Sequence, residues 1–123
     1  RTSSGSIDFN ENKSALIMAR GNKAVPEMIQ KVCKNIGIKT TDLNYLITNQ
    51  PNKIFLRNWH EAIQMKSENH LNTFEKYANL FGAGIPVTMA EAIKENKFKS
   101  GDIVCLAGFS HACDYSGAAL IKW

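Results

Sequence analysis

The chain has 123 residues and a formal net charge of +4, and 44% of its residues are hydrophobic and 21% are charged. This length fits a single domain with its own core, and no run of about 18 apolar residues is present to form a membrane-spanning helix. The lysines are scattered and not interleaved with stacking aromatic residues, so we expect no nucleic-acid interface. Three cysteines without close pairing exclude a small disulfide scaffold or a zinc knuckle and favour a reducing cytoplasm.

The N-terminal part is predicted to form a leader, a strand and a helix. Residues 1–14 are polar, rich in turn formers and do not begin with Met, and we expect a leader or linker that follows a cut inside a longer chain. The apolar residues 15–18 predict a short buried strand that ends in a turn at Gly21. Apolar residues between 23 and 36 recur at three- and four-residue steps, which predicts a helix with Pro26 in its first turn.

A short strand that stops abruptly marks the middle of the chain. Tyr45–Thr48 is too short and too apolar for anything but a central strand, and Asn49-Gln50-Pro51-Asn52 ends it. A helical pattern from Ile54 to Met65 follows, with Asn52 as its predicted N-cap. Because ligands of α/β proteins bind at the carboxyl ends of strands, residues 49–52 are predicted to belong to a site.

The remaining elements complete a layered α/β domain. Residues 67–81 show little periodicity, which is typical of a functional loop or of one that contains a short strand. A helix is predicted after Gly82 and ends near Lys94, and residues 102–107 and 117–122 predict two antiparallel strands. The order of elements predicts an α/β fold whose mixed sheet is flanked by helices, parallel at the centre and antiparallel at one side.

Reactive side chains are few, and most have a structural interpretation. His60 and His70 are predicted to be surface residues. Cys113 lies two residues from His111, but such neighbours do not contact each other on an extended segment, so a buried, inert cysteine is favoured over a catalytic one. His111 is either a pocket residue or a surface residue, and the position of Asn79 before a helix favours a turn or cap. The sequence offers no metal cluster or phosphate-binding glycine motif.

Three separated motifs nevertheless point to one family. They are Asn49-Gln50-Pro51-Asn52, Tyr77-Ala78-Asn79-Leu80 and residues 108–117, the last of which precede Ala118–Trp123. In order and spacing they resemble the C-terminal half of β-ketoacyl-acyl carrier protein synthase III. The resemblance implies a domain over residues 15–123 with the C-terminal half of a thiolase-like fold. It also implies a nucleophilic cysteine in an N-terminal half that this sequence does not contain, and a homodimer when the protein is complete.

The resemblance assigns roles to seven residues. Asn79 matches the family's asparagine, and Asn49 stands where the family has a histidine, so both are expected to donate hydrogen bonds to a thioester oxygen. Asn49 cannot take up a proton near pH 7. His111 lies in the loop where thiolases carry a second catalytic group and is the third expected catalytic residue. The residues expected to bind substrate along a pantetheine channel are Asn52, Lys53, Asn22 and Val25.

The implied function is acyl transfer through a cysteine thioester. The substrate would be an acyl-coenzyme A or acyl carrier protein thioester, with acyl carrier protein as partner and no permanently bound cofactor. The asparagine at position 49 makes a specialised transfer in secondary metabolism an alternative to ordinary fatty-acid initiation. Two other classes stay open, which are a non-catalytic partner subunit of a heterodimeric ketosynthase-like complex and a free-standing small binding domain. The fragment by itself is expected to be inactive.

Overall fold

The computed structural model describes residues 11–123, which form four helices and one four-stranded sheet. Short 3₁₀ turns connect several of these elements. The helices are α1 (Glu11–Asn35), α2 (Lys53–Ala62), α3 (Phe74–Tyr77) and α4 (Gly84–Lys94). The strands are β1 (Tyr45–Thr48), β2 (His70–Leu71), β3 (Ile103–Ser110) and β4 (Tyr115–Lys122).

The sheet is mixed, as the order of the elements predicted. Its strand order is β2-β1-β3-β4. Strand β1 runs parallel to β2 and to β3, with Leu46 opposite His70 and Thr48 opposite Ala107. Strands β3 and β4 form an antiparallel hairpin. Strands β1 and β3 therefore end at the same edge of the sheet, where polar side chains that follow them come together.

Two apolar cores cover the two faces of the sheet. Successive residues of a strand point to opposite faces, and Leu46 belongs to one core while Ile47 belongs to the other. Helices α1 and α2 cover the first face, where Trp59 is fully buried. Helix α4 covers part of the second face through Ala92. The burial of these side chains provides the main driving force for the layered arrangement.

The strand predicted at residues 15–18 is wrong, because helix α1 runs through this segment without interruption. Ile17 and Met18 pack on the same core as Val25, and their spacing continues the helical repeat. Gly21 lies inside the helix and makes no turn. A β-carbon there would be 2.5 Å from the Phe55 ring, so glycine permits close packing of α1 on α2.

The predicted leader overlaps the first helix. Helix α1 begins at Glu11, so residues 11–14 form its first turn. Residues 1–10 of the predicted leader lie outside the described residues. Pro26 lies well inside α1, although the sequence placed it in a first turn. It removes one backbone donor from the helix interior.

Two connections are defined more closely by the structure than by the sequence. Residues 67–81 contain the short strand β2 as well as α3, which confirms one of the two alternatives for this segment. The final hairpin is longer than predicted, because Gly108 pairs with Gly117 and Ser110 pairs with Tyr115 inside the ladder. Of the residues between the two predicted strands, only 111–114 therefore form the tip of the hairpin. Among residues 11–123, no helix has the length and apolar character needed to cross a membrane.

Candidate active site

A cavity of about 750 Å³ lies at the carboxyl ends of β1 and β3, next to the start of α4. Asn49, Asn79 and His111 all border it, although they come from three separate segments of the chain. Most of its other walls are apolar or glycine. They include Pro51, Phe81, Ile85, Leu106, Ala107, Gly108, Phe109, Gly117, Ala118 and Ala119. A mostly apolar hollow with a few convergent polar groups is the usual form of a small-molecule site.

The carboxamide of Asn49 is held by the backbone of β3. Its Nδ2 atom donates to the Phe109 carbonyl at 3.2 Å, and the Phe109 N–H donates to Oδ1 at 3.3 Å. This side chain continues the pairing of β1 with β3 beyond the last backbone pair. A carboxamide nitrogen carries two hydrogens, so one N–H remains to meet a ligand in the cavity.

Asn79 combines a turn role with a place on the cavity wall. Its Oδ1 accepts a hydrogen bond from the Phe81 N–H at 2.9 Å, which confirms the turn predicted from the sequence. The preceding Ala78 has φ 54° and ψ −140°, a conformation that residues other than glycine rarely adopt. The oxygen is engaged in the turn, and the amide nitrogen, which is the donor of the side chain, can donate to a ligand.

His111 lies at the tip of the final hairpin and is exposed. Three consecutive residues there have positive φ values, which are 49° for His111, 54° for Ala112 and 74° for Cys113. The imidazole packs edge to face with the Tyr115 ring at 5.7 Å between centroids. His111 also borders a smaller cavity of about 380 Å³ between the hairpin tip and α1. The tip therefore separates two hollows.

Asn52 and Lys53 have partners away from the cavity. The Oδ1 atom of Asn52 accepts from the Phe55 N–H at 2.8 Å, so Asn52 is the N-cap of α2, as predicted. Lys53 is exposed and forms an ion pair with Glu75. Neither residue borders the 750 Å³ cavity. Their expected contact with a pantetheine channel stays a prediction.

Asn22 and Val25 also lie away from the cavity. The Oδ1 atom of Asn22 accepts from Nδ2 of Asn58 at 3.1 Å, which joins α1 to α2. Val25 is 0% exposed and belongs to the core beneath α1. A place in the core contradicts the expected position of Val25 at a channel mouth. The difference arises because α1 turns this residue towards the sheet.

The three cysteines of the chain lack the environment of a nucleophile. Burial raises the pKa of the Cys105 thiol to about 12, and burial also raises that of Cys33. Burial raises the pKa of Cys113, and this effect outweighs a lowering by Arg20, while the Asp114 carboxylate adds a smaller rise. A raised pKa disfavours the reactive thiolate. Among residues 11–123, no group of three His, Cys, Asp or Glu side chains is arranged to hold a metal ion.

His70 is buried, so its predicted surface position is wrong. It is 3% exposed, and its Nε2 lies 2.9 Å from the Thr48 hydroxyl while its Nδ1 lies 3.1 Å from the Leu56 carbonyl oxygen. Burial, and then the neighbouring His60, lowers the pKa of His70 to about 3. The sequence missed this because a two-residue strand gives no alternation to recognise.

A second hollow of about 670 Å³ lies at the opposite edge of the sheet, near the amino ends of β1 and β3. Asn44 and Asp102 border it together with lysine and glutamate side chains. None of the predicted site residues lies there. The predicted catalytic side chains therefore converge at the carboxyl edge, where their chemical roles remain predictions.

Comparison with known proteins identifies the family. Residues 33–123 match the family described as 3-oxoacyl-(acyl-carrier-protein) synthase III, C-terminal. The chain belongs to the synthase III family. The β-ketoacyl-(acyl-carrier-protein) synthase III of Synechocystis sp. is 31% identical over 99 residues, and that of Prochlorococcus marinus is 34% identical over 101 residues. These matches cover 80% and 82% of this chain.

The chain corresponds to one part of a synthase III. It spans 30% of the length of each of these two curated relatives. The crystal structure of the Pseudomonas aeruginosa 3-oxoacyl-(acyl carrier protein) synthase III matches it with a TM-score of 0.82 at 19% identity, over 94% of this chain and 34% of that chain. The predicted α/β fold, the C-terminal half of a thiolase-like synthase III, is confirmed.

Proposed function

We propose that this chain is the C-terminal half of a synthase III-like acyltransferase and supplies hydrogen-bond donors to an acyl-thioester site. The carrying observation is the convergence of Asn49, Asn79 and His111 around one apolar cavity. The nucleophilic cysteine lies in an N-terminal half outside this sequence. In the proposed complete enzyme, its thiolate attacks the thioester carbonyl carbon, the bond to the carrier sulfur breaks, and the acyl group stays on the cysteine.

The two asparagines act on the carbonyl oxygen. Negative charge grows on this oxygen as the thiolate attacks, so fixed donors stabilise the transition state more than the substrate. Asn79 donates through its amide nitrogen, while its oxygen accepts from the Phe81 N–H in the turn. Asn49 donates through its second N–H, since its first is bound to the Phe109 carbonyl.

Proton transfer cannot come from Asn49, because a carboxamide is not a base near pH 7. His111 is the imidazole on the cavity wall, and we assign it the role of proton acceptor. The acyl donor is a coenzyme A or acyl carrier protein thioester, and a malonyl-carrier thioester that loses carbon dioxide is the proposed acceptor. Acyl carrier protein as partner, a homodimeric complete protein and a cytoplasmic location belong to the same proposal, which family membership supports.

The channel for the carrier arm belongs to the same proposal. Asn52, Lys53 and Asn22 do not border the cavity, and Asn22 joins α1 to α2 through Asn58. A thioester arm that enters along the start of α2 would pass the exposed Lys53 ammonium, which suits a phosphate-bearing carrier. Val25 is not included, because it is buried in the core.

The test is formation of a covalent acyl adduct. The full-length protein is incubated with acyl-coenzyme A thioesters of several chain lengths and measured by intact-protein mass spectrometry. We expect a mass gain equal to one acyl group. The absence of any gain across the panel would reject the enzyme proposal, and the isolated chain, which lacks the nucleophile, serves as the negative control.

A non-catalytic partner subunit is the second candidate. The observation that favours it is the engagement of Asn49 with the Phe109 backbone, because a group that completes a sheet has a structural role already. The upstream half separates the two candidates. A cysteine at a strand-to-helix turn there supports the enzyme, and its absence supports the partner subunit.

A further inference from the structure

Gln50 lies between the two proposed oxyanion donors. It follows Asn49 directly in the chain and is 0% exposed. Its Nε2 atom donates to the Ala78 carbonyl at 2.7 Å and to the Thr73 hydroxyl at 3.1 Å. Its Oε1 atom accepts from the Thr73 N–H at 3.1 Å. Both amide hydrogens and the amide oxygen therefore have partners, as a buried carboxamide requires.

The Ala78 carbonyl belongs to a strained residue. Ala78 has φ 54° and ψ −140°, and such a conformation persists where the surroundings hold it. Asn79 is the next residue, so the orientation of the Ala78 peptide sets the direction of the Asn79 side chain. The bond from Gln50 is the side-chain contact that holds this carbonyl.

The packing around Gln50 leaves its side chain little freedom. The hydroxyl groups of Thr73 and Thr88 lie 3.2 Å apart, which links the network to helix α4. Gly84 opens α4, and a β-carbon there would be 3.3 Å from Cγ of Gln50. The helix therefore packs directly on the glutamine. Because the side chain is packed on several sides, it keeps the distance between the elements it joins constant.

We propose that Gln50 is a positioning residue that fixes the direction of the Asn79 amide relative to Asn49. Its backbone is joined directly to Asn49, and its side chain holds the Ala78 peptide that precedes Asn79. The inference rests on the proposed function, because the proposed function is what gives the two amides one shared ligand. Gln50 itself does not touch that ligand, because it is buried behind the cavity wall and does not border the cavity.

The test is a double-mutant cycle on the full-length protein. Gln50→Met keeps the length of the side chain and removes all its hydrogen bonds. We expect the rate of acyl-adduct formation at saturating thioester to fall by roughly tenfold to a hundredfold, since small misplacements of catalytic groups have effects of this size. In an Asn79→Ala background the same substitution should change the rate less than about twofold, because the group that Gln50 positions is absent.

Matched variants complete the design. Gln30 is an exposed glutamine on α1, and Gln30→Met should leave the rate unchanged. If Gln50→Met does not give a native circular dichroism spectrum, Gln50→Leu takes its place in the cycle, because it is also apolar and loses the donors to Ala78 and Thr73.

The outcomes separate the two proposals. A wild-type protein that forms no adduct overturns the proposed function and this inference with it. A wild-type protein that forms the adduct, combined with an equal loss of rate in both backgrounds or no loss at all, overturns the positioning role alone. A large loss confined to the background that contains Asn79 supports it.

Discussion

Gly108 faces Asn49 so closely that a β-carbon at position 108 would lie 2.6 Å from the Oδ1 atom of Asn49. The absence of a side chain is therefore what allows Asn49 to pair with the Phe109 backbone. We expect Gly108→Ala to lower the free energy of unfolding by about 1–3 kcal/mol, the usual effect of overpacking. Urea unfolding measures the change.

Gly117 provides the matched control for this substitution. It pairs with Gly108 across the hairpin, and a β-carbon there has no neighbour within 4 Å. Gly117→Ala should raise the free energy of unfolding by about 0.5–1 kcal/mol, since alanine loses less conformational freedom than glycine in a strand. Equal losses in the two variants would show that Asn49 is not the cause.

Asn79 has two roles that one substitution separates. Asn79→Asp keeps the oxygen that accepts from the Phe81 N–H and loses the amide donor. We expect native stability with a fall of about 10²- to 10³-fold in the rate of adduct formation, as for the loss of one oxyanion donor. The control is Asn72→Asp, because Asn72 accepts in the same way from the Phe74 N–H and does not border the cavity. An unchanged rate in Asn79→Asp would remove this residue from the site.

His70 makes stability depend on pH. Its pKa is about 3 in the folded chain, against the ordinary value of 6.5. Below pH 6.5 the His70 imidazole therefore binds a proton in the unfolded chain and stays neutral in the folded chain. The contribution of neutral His70 to the free energy of unfolding is complete above pH 6.5 and is lost as the pH falls from about 6.5 towards 3. Between pH 7 and 4.5 we expect a loss of about 3 kcal/mol in the free energy of unfolding from this residue.

His70→Val tests this dependence. Valine suits the strand, and the Thr48 hydroxyl can still donate to the Asn49 carbonyl in the absence of the imidazole. Urea unfolding at pH 7 and pH 4.5 should show a smaller difference in the variant than in the wild type, by about 3 kcal/mol. The exposed His111 serves as control, since His111→Asn should keep the wild-type difference. The same difference in all three proteins would assign the acid sensitivity to other groups.

The hairpin tip stores backbone strain at a position where glycine would be relaxed. Ala112 has φ 54°, and an alanine in this region costs about 1 kcal/mol relative to glycine. Ala112→Gly should therefore raise the free energy of unfolding by roughly 0.5–1 kcal/mol. Ala119→Gly in strand β4 should lower it by a similar amount, and thermal unfolding measures both. Destabilisation of the tip variant would mean that the tip is not strained.

The sequence by itself determined the elements whose signals are local. The apolar run Tyr45–Thr48 predicts β1, Asn52 predicts the N-cap of α2, and the last two apolar runs predict an antiparallel pair. The signal for each of these elements lies in residues a few positions apart, so it can be recognised from the sequence. The resemblance of three motifs also identified the family, because motif spacing is itself a property of the sequence.

Tertiary structure alone decided which side chains meet. Asn49 binds Phe109 across 60 residues, Gln50 binds Ala78 across 28, and His70 is buried against Thr48 across 22. Residues 15–18 likewise became part of α1 because the sheet and α2 cover one face of a continuous helix. Local periodicity contains no information on such partners. These partners are determined when the layers pack, because a buried polar group forms hydrogen bonds with the groups that the fold places next to it.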